Sequence, residues 1–131
     1  MRSHHRILLV EDDHALRDTL ADVLADEGFE VACAANGLEA LEKLGKGLQP
    51  DLIVLDLVMP VMDGWAFRDA QRQRPDLSGI PMVVLSASFP TDSPRIRALG
   101  AEEVLSKPVG MDRLLRAVRG LATQPRPAVL H

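Results

Sequence analysis

Apolar residues along this chain alternate between two spacings. Short unbroken apolar runs, the mark of strands covered on both faces, occur at residues 6–10, 29–34, 51–56, 81–86 and 103–106. Between and after them, apolar residues recur every three or four positions, which is helical spacing. Residues 14–27 place Leu16, Leu20, Val23 and Leu24 on one stripe, and Gly28 ends that helix. Asn36-Gly37 reads as a turn capping a second helix, with Leu38, Leu41 and Leu44 as its buried face and Gly45 and Gly47 at its end. A third helix, residues 64–74, is closed by Pro75. Its stripe is thin: Phe67 and Ala70 face inward, while Arg68 and Gln71 stand where more apolar residues are expected. Pro90 and Pro94 confine a fourth helix to a start near Ser93, with Pro94 at its first position and barely two turns before Gly100. Met111, Leu114, Leu115, Val118 and Leu121 give the fifth helix a clean stripe. Residues 124–131 hold two prolines and read as a loose tail, so the predicted domain covers residues 1–123.

Five strands alternating with five helices predict an α/β open sheet with right-handed crossovers and helices on both faces. Ligands of such sheets sit outside the carboxyl ends of the strands. The polar residues gather at those ends. Glu11, Asp12 and Asp13 close the first run, Asp56 the third, Ser86 the fourth, and the fifth leads to Lys107-Pro108. Two unit charges ~4 Å apart interact by roughly 4 kcal/mol at an effective dielectric of ~20. Glu11, Asp12 and Asp56 held together would therefore repel strongly or take up protons, and a divalent ion reverses the sign. Hard oxygen donors with room for water suit magnesium. Zinc and other soft metals are disfavoured, since no His or Cys is placed to join the acids. With such an ion, Lys107 and Ser86 complete a receptor for phosphoryl oxygens, and Asp56 is a candidate nucleophile. The plainer alternative makes the acids helix caps and Lys107 their salt-bridge partner; for Asp13, which directly precedes the first helix, capping is the preferred reading.

Composition narrows the picture without changing it. The 131 residues carry a net charge of −4, which argues against a nucleic-acid-binding surface. The apolar runs are strand-sized, so no membrane span is expected, and Arg2 to Arg6 lead too few apolar residues for a signal peptide. Cys33 is the single cysteine and is expected to be a reduced, packed thiol in a cytoplasmic protein. Nine residues after Ala122 are too few for a helix-turn-helix, so output is expected through another protein; a start just before the first strand suits a stand-alone protein or the N-terminal piece of a longer one. Trp65 is expected half-packed on the first turn of the third helix.

The ordered set Ile7-Leu8-Leu9-Val10-Glu11-Asp12-Asp13, Asp51-Leu52-Ile53-Val54-Leu55-Asp56, Met59-Pro60, Met62-Asp63-Gly64, Ser86-Ala87 and Lys107-Pro108 resembles the receiver domain of two-component response regulators, over residues 6–121. The resemblance implies a flavodoxin-like, doubly wound five-stranded parallel sheet of order 2-1-3-4-5. It implies Asp56 as phosphoacceptor, Asp12 as a direct Mg2+ ligand, Glu11 acting through water, and the Val58 backbone carbonyl as a further ligand. Ser86 would be the switch hydroxyl and Lys107 the ammonium on another phosphoryl oxygen. The phosphodonor would be a histidine kinase or histidine phosphotransfer protein, the output an unknown downstream protein, and the only chemistry the domain's own phosphorylation and dephosphorylation, so that it is not an enzyme in the ordinary sense. Three features depart from the family pattern: Val104 stands where Tyr or Phe is usual, Val109 stands after Lys107-Pro108 where Phe is frequent, and Pro90 and Pro94 interrupt the fourth helix region.

Two rival functions fit parts of this pattern. A phosphatase of the haloacid-dehalogenase type needs a second Asp two residues beyond the nucleophile, where this chain has Val58. A phosphorylation-independent binding module on the receiver fold is kept open by the missing aromatic. Shifting a population from 1:99 to 99:1 takes about 5.5 kcal/mol of differential binding, and two charge-assisted bonds of roughly 1.5–3 kcal/mol each approach that. With Val104 unable to rotate as an aromatic would, a backbone shift in residues 87–94 is the expected signal. Val58 cannot orient water, which predicts a long-lived phosphoryl group.

Overall fold

The computed structural model describes residues 5–123; the anticipated tail, residues 124–131, lies outside them. Five strands, β1 (Arg6–Val10), β2 (Glu30–Ala34), β3 (Leu52–Asp56), β4 (Met82–Ser86) and β5 (Glu103–Ser106), form one parallel sheet of order β2-β1-β3-β4-β5. The helices between and after them are α1 (His14–Asp26), α2 (Gly37–Gly45), α3 (Gly64–Arg72), α4 (Pro94–Arg97) and α5 (Met111–Ala122). This is the doubly wound architecture expected.

The central strands are buried on both sides because their side chains alternate between two cores. Leu8, Val10, Ile53, Leu55, Met82 and Val84 face Ala40 and Leu44 of α2, Phe67 of α3 and Ile96 of α4. Ile7, Leu9, Leu52, Val54, Val83 and Leu85 face Leu20 and Leu24 of α1 and Leu114 and Val118 of α5. Each wholly buried aliphatic side chain contributes roughly 1.5–3 kcal/mol against exposure, so the sheet is a rigid platform for whatever its strand ends carry.

Local chemistry sets the helix starts. Asp13, Asn36, Asp63 and Ser93 each accept the backbone N–H three residues on, at 3.0, 2.9, 2.9 and 3.3 Å. Asp13 therefore is the cap of α1. Gly28 and Gly47 hold φ of 94° and 102° just beyond α1 and α2, conformations that favour glycine.

Several boundaries are shorter than the sequence suggests. α1 stops at Asp26 with Glu27 as its cap, α3 stops at Arg72 before Pro75, and β2, β3 and β4 each begin one residue late. α4 starts at Pro94 as expected but makes a single turn. Leu38 is not on the buried face of α2: it is 43% exposed, and Ala40 takes the inward position beside Leu44. Ala70 is only half-buried, whereas Arg68 and Gln71 are buried.

Those two polar residues replace an apolar stripe with a hydrogen-bond network. The Gln71 amide donates to the carbonyls of Leu77 (2.9 Å) and Ile80 (3.3 Å), and its oxygen accepts from Arg68 at 2.8 Å. Arg68 donates onward to the carbonyls of Leu99 (2.8 Å) and Gly100 (3.1 Å). Arg72 donates to the carbonyl of Ala98 at 3.0 Å and also to that of Leu99. Two guanidinium groups of α3 thus hold the chain leaving α4, where single-turn geometry leaves carbonyls without helical partners.

Candidate functional site

The carboxyl ends of β1, β3 and β4 and the residue after β5 converge where the sheet order reverses, between β1 and β3. β1 ends at Val10, so Glu11 and Asp12 leave the sheet there; the Glu11 N–H still bonds to the Ala34 carbonyl at 3.0 Å, which extends the β1–β2 ladder and fixes Glu11. Glu11 is fully buried and Asp12 exposed. Asp56, the last residue of β3, is 4% exposed, and Ser86, the last of β4, is equally buried. Oxygens of Glu11, Asp12 and Asp56 all lie within 4.8 Å of one another.

Lys107 meets two of these acids. Its Nζ is 2.8 Å from Glu11 Oε1 and 3.3 Å from Asp56 Oδ1. The other Glu11 oxygen accepts from the Asp13 N–H at 3.1 Å, and the Glu11 carbonyl accepts from Arg17 at 2.9 Å. Lys107 is in turn anchored by its own N–H, which donates to the Ser86 carbonyl at 2.9 Å. One ammonium therefore serves two buried carboxylates. Burial first, and the Glu11 charge second, push the Asp56 carboxyl up to about 7 against the opposing pull of Lys107. For Lys107, burial works against the charge, but Glu11 and Asp56 outweigh it and raise the ammonium above its usual range.

Ser86 points its proton elsewhere: Oγ donates to the Phe89 carbonyl at 2.9 Å. Val58 is 56% exposed, an apolar residue two positions beyond Asp56. The β3–α3 loop turns sharply under it. Val61 holds φ of 69°, and Gly64 presses so closely on β3 that a Cβ there would lie 2.8 Å from the Asp56 carbonyl oxygen and the Leu57 Cα. Only glycine lets α3 start this near the acid.

The structure thus brings Glu11, Asp12, Asp56 and Lys107 into one cluster with Ser86 on the adjoining strand end. Sequence reasoning did not foresee that Glu11 is the closer partner of Lys107, nor the part played by Arg17, six residues away on the facing turn of α1. It also missed a stack in which Arg95 lies 3.9 Å from the Trp65 ring centre and 5.3 Å from that of Phe89, with the two rings edge to face at 5.2 Å. A cation at the second position of α4 and two of the chain's few aromatics were the available signal. Trp65 is half-buried, as expected. Cys33 is also only half-buried, and burial raises its thiol, which disfavours the thiolate.

A five-stranded α/β sheet with an acidic cluster and a lysine at its switch point defines a class of phosphate-handling signalling domain. The profile of the response regulator receiver domain matches residues 7–119, and the chain belongs to that family. The response regulator MprA of Mycobacterium leprae is 37% identical over 124 residues, covering 93% of this chain and 53% of its own. The chain spans about half the length of the curated relatives it matches. Among solved structures, the chemotaxis response regulator CheY4 of Vibrio cholerae superposes with a TM-score of 0.82 at 31% identity, covering 91% of this chain and 99% of that one. The signal receiver domain of a histidine kinase from Syntrophus aciditrophicus gives 0.80 at 29%, covering 96% and 98%. Among the described residues, no helix is long and apolar enough to cross a membrane.

Proposed function

We propose that this receiver domain accepts a phosphoryl group on Asp56 from a histidine kinase or histidine phosphotransfer protein, in a Mg2+-dependent reaction in the cytoplasm, and thereby switches its binding to a downstream protein. The observation that carries the reading is Asp56 itself: a nearly buried carboxylate at a strand end, within 4.8 Å of two other acids and 3.3 Å from Lys107.

The donor set fits a hard divalent cation, since it consists of carboxylates with one exposed member, Asp12. Asp12, Asp56 and the Val58 backbone carbonyl would hold it directly. Glu11 would act through water, because its two oxygens already serve Lys107 and the Asp13 N–H. When bound, the ion would neutralise the acids and draw phosphoryl oxygens toward them.

The chain's own residues then do the rest. An Asp56 carboxylate oxygen forms a bond to phosphorus as the donor's phosphorus–nitrogen bond breaks, and the imidazole leaves with that electron pair and takes a proton. Lys107 neutralises an equatorial oxygen throughout the transfer. Ser86 donates its hydroxyl proton to another oxygen once the phosphoryl group is in place. Val58 leaves water without a hydrogen-bonding guide, which lengthens the life of the product.

Incubation with magnesium and an acyl phosphate, followed by intact mass measurement, tests this. A gain of one phosphoryl group in the wild type and none in Asp56→Asn is expected. No gain in the wild type, or a gain in the variant, would refute it. Partner binding unchanged by Asp56→Asn would instead favour the phosphorylation-independent module.

A further inference from the structure

Asp12 stands apart from the other acids of the cluster. Glu11 and Asp56 are buried and tied to Lys107, whereas Asp12 is exposed. Among the described residues its carboxylate has no hydrogen bond or ion pair. Yet one of its oxygens lies within 4.8 Å of oxygens of Glu11 and Asp56, where like charges repel. The backbone keeps it there. The Glu11 carbonyl and the Asp12 nitrogen belong to one planar peptide, so whatever holds that carbonyl orients the Asp12 Cα. Sheet pairing ends just before it, with the Glu11 N–H on the Ala34 carbonyl at 3.0 Å. The carbonyl itself is held by Arg17, whose guanidinium donates to it at 2.9 Å.

This bond follows from the way α1 begins. Asp13 caps the helix, and the Arg17 N–H donates to the Asp13 carbonyl at 2.8 Å, so Arg17 stands one turn beyond the cap. Long side chains on a helix lean toward its N-terminus, which directs this guanidinium back over residues 11–13. It pairs with no carboxylate among the described residues. Arg17 therefore fixes the turn while leaving free the oxygens a cation would need. Lys107 does the opposite, since its ammonium occupies Glu11 and Asp56.

We propose that Arg17 is the positioning residue of the divalent-cation site: by clamping the Glu11–Asp12 peptide it holds the Asp12 carboxylate toward Asp56 before any cation arrives. This rests on the reading of the acidic cluster as a magnesium site. Arg17 touches neither the cation nor the phosphoryl group. Without the clamp, repulsion among the acids turns Asp12 toward solvent, and the cation must gather its ligands from a relaxed turn. A role for the Arg17 charge alone predicts the opposite sign, because a guanidinium beside a cation site repels the cation. Loss of that charge would tighten magnesium binding; loss of a clamp weakens it.

Magnesium binding to the full chain is measured by titration calorimetry at about pH 8 for the wild type, Arg17→Met and Arg17→Lys, with urea unfolding in a chelator to compare the folds. Arg17→Met should bind magnesium about tenfold more weakly, as expected when a group that orients a metal ligand is removed. Arg17→Lys keeps a charge and a donor and should recover part of the loss. Phosphorylation by an acyl phosphate, followed by intact mass, should need correspondingly more magnesium for its half-maximal rate in Arg17→Met, with the wild-type rate at saturation. Affinity in Arg17→Met equal to or above that of the wild type overturns the proposal. So does Arg17→Lys binding no better than Arg17→Met, or a rate still depressed at saturating magnesium. Loss of the fold in Arg17→Met leaves the decision to Arg17→Lys, whose affinity must then fall below that of the wild type. A wild type that binds no magnesium overturns the magnesium reading as well.

Discussion

Asp56 is held at a cost that its replacement should reveal. In the absence of metal, Asp56 and the fully buried Glu11 share one ammonium, and both carboxylates are largely removed from water. The folded state keeps the Asp56 proton up to about 7, whereas the unfolded chain loses it near 3.8. Between those values the folded state binds more protons, so stability falls as pH rises, and the full penalty is present above about 7. At 1.36 kcal/mol per pH unit the interval sets a ceiling of about 4 kcal/mol, and solvent screening at the mouth of the cluster lowers the expected value to about 1–3 kcal/mol. Asp56→Asn keeps the shape and removes the charge. Urea unfolding in a chelator should therefore show the variant more stable than wild type by that amount at about pH 8, at unchanged m-value, with the difference vanishing toward about pH 4. Magnesium should close the gap at about pH 8, since it binds the wild-type native state and adds about 2.7 kcal/mol at 100 times its dissociation constant. A variant less stable than wild type at about pH 8, or a gain that does not depend on pH, would show that charge crowding is not what Asp56 endures.

Other consequences are open to direct measurement. Magnesium must displace the Asp56 proton, so its apparent affinity, followed by titration calorimetry, should be about tenfold weaker at about pH 6 than above pH 8; a flat profile would count against the raised carboxyl. Val58→Asn should hasten loss of the phosphoryl group by giving water a hydrogen-bonding guide, and equal decay in variant and wild type would contradict that. Val61, at φ of 69° and 78% exposed, is strained without packing to lose, so Val61→Asn should raise stability by about 1 kcal/mol in urea unfolding. Gln71→Leu removes the donor for two buried carbonyls and the acceptor for Arg68, and should cost about 2–4 kcal/mol; a neutral result would mean water replaces the amide.

Much of the architecture was legible in the sequence because its causes are local. Unbroken apolar runs reflect burial on both faces, helical spacing reflects one buried stripe, and Asp13, Asn36, Asp63 and Ser93 start helices through their own side chains. A parallel sheet brings the carboxyl ends of its strands, and with them Glu11, Asp12, Asp56, Ser86 and Lys107, to one edge, so the members of the site could be named from their places after strands; the strand order itself came from the family resemblance. Contacts set by distance in space could not be read this way. Leu38 and Ala40 differ by two positions on α2, and only the packing of that helix against the sheet decides which faces the core. Arg68 and Gln71 break the apolar pattern because they answer carbonyls that the chain presents 31 and 32 residues later for Arg68, and 6 and 9 later for Gln71. Lys107 leans closer to Glu11 than to Asp56, and Ser86 turns to Phe89, because the orientation of a side chain follows the full set of neighbours that tertiary packing assembles. Sequence determined which chemical groups meet; tertiary structure decided which of them bond, since bonds of this kind depend on ångström distances and directions that no one-dimensional pattern encodes.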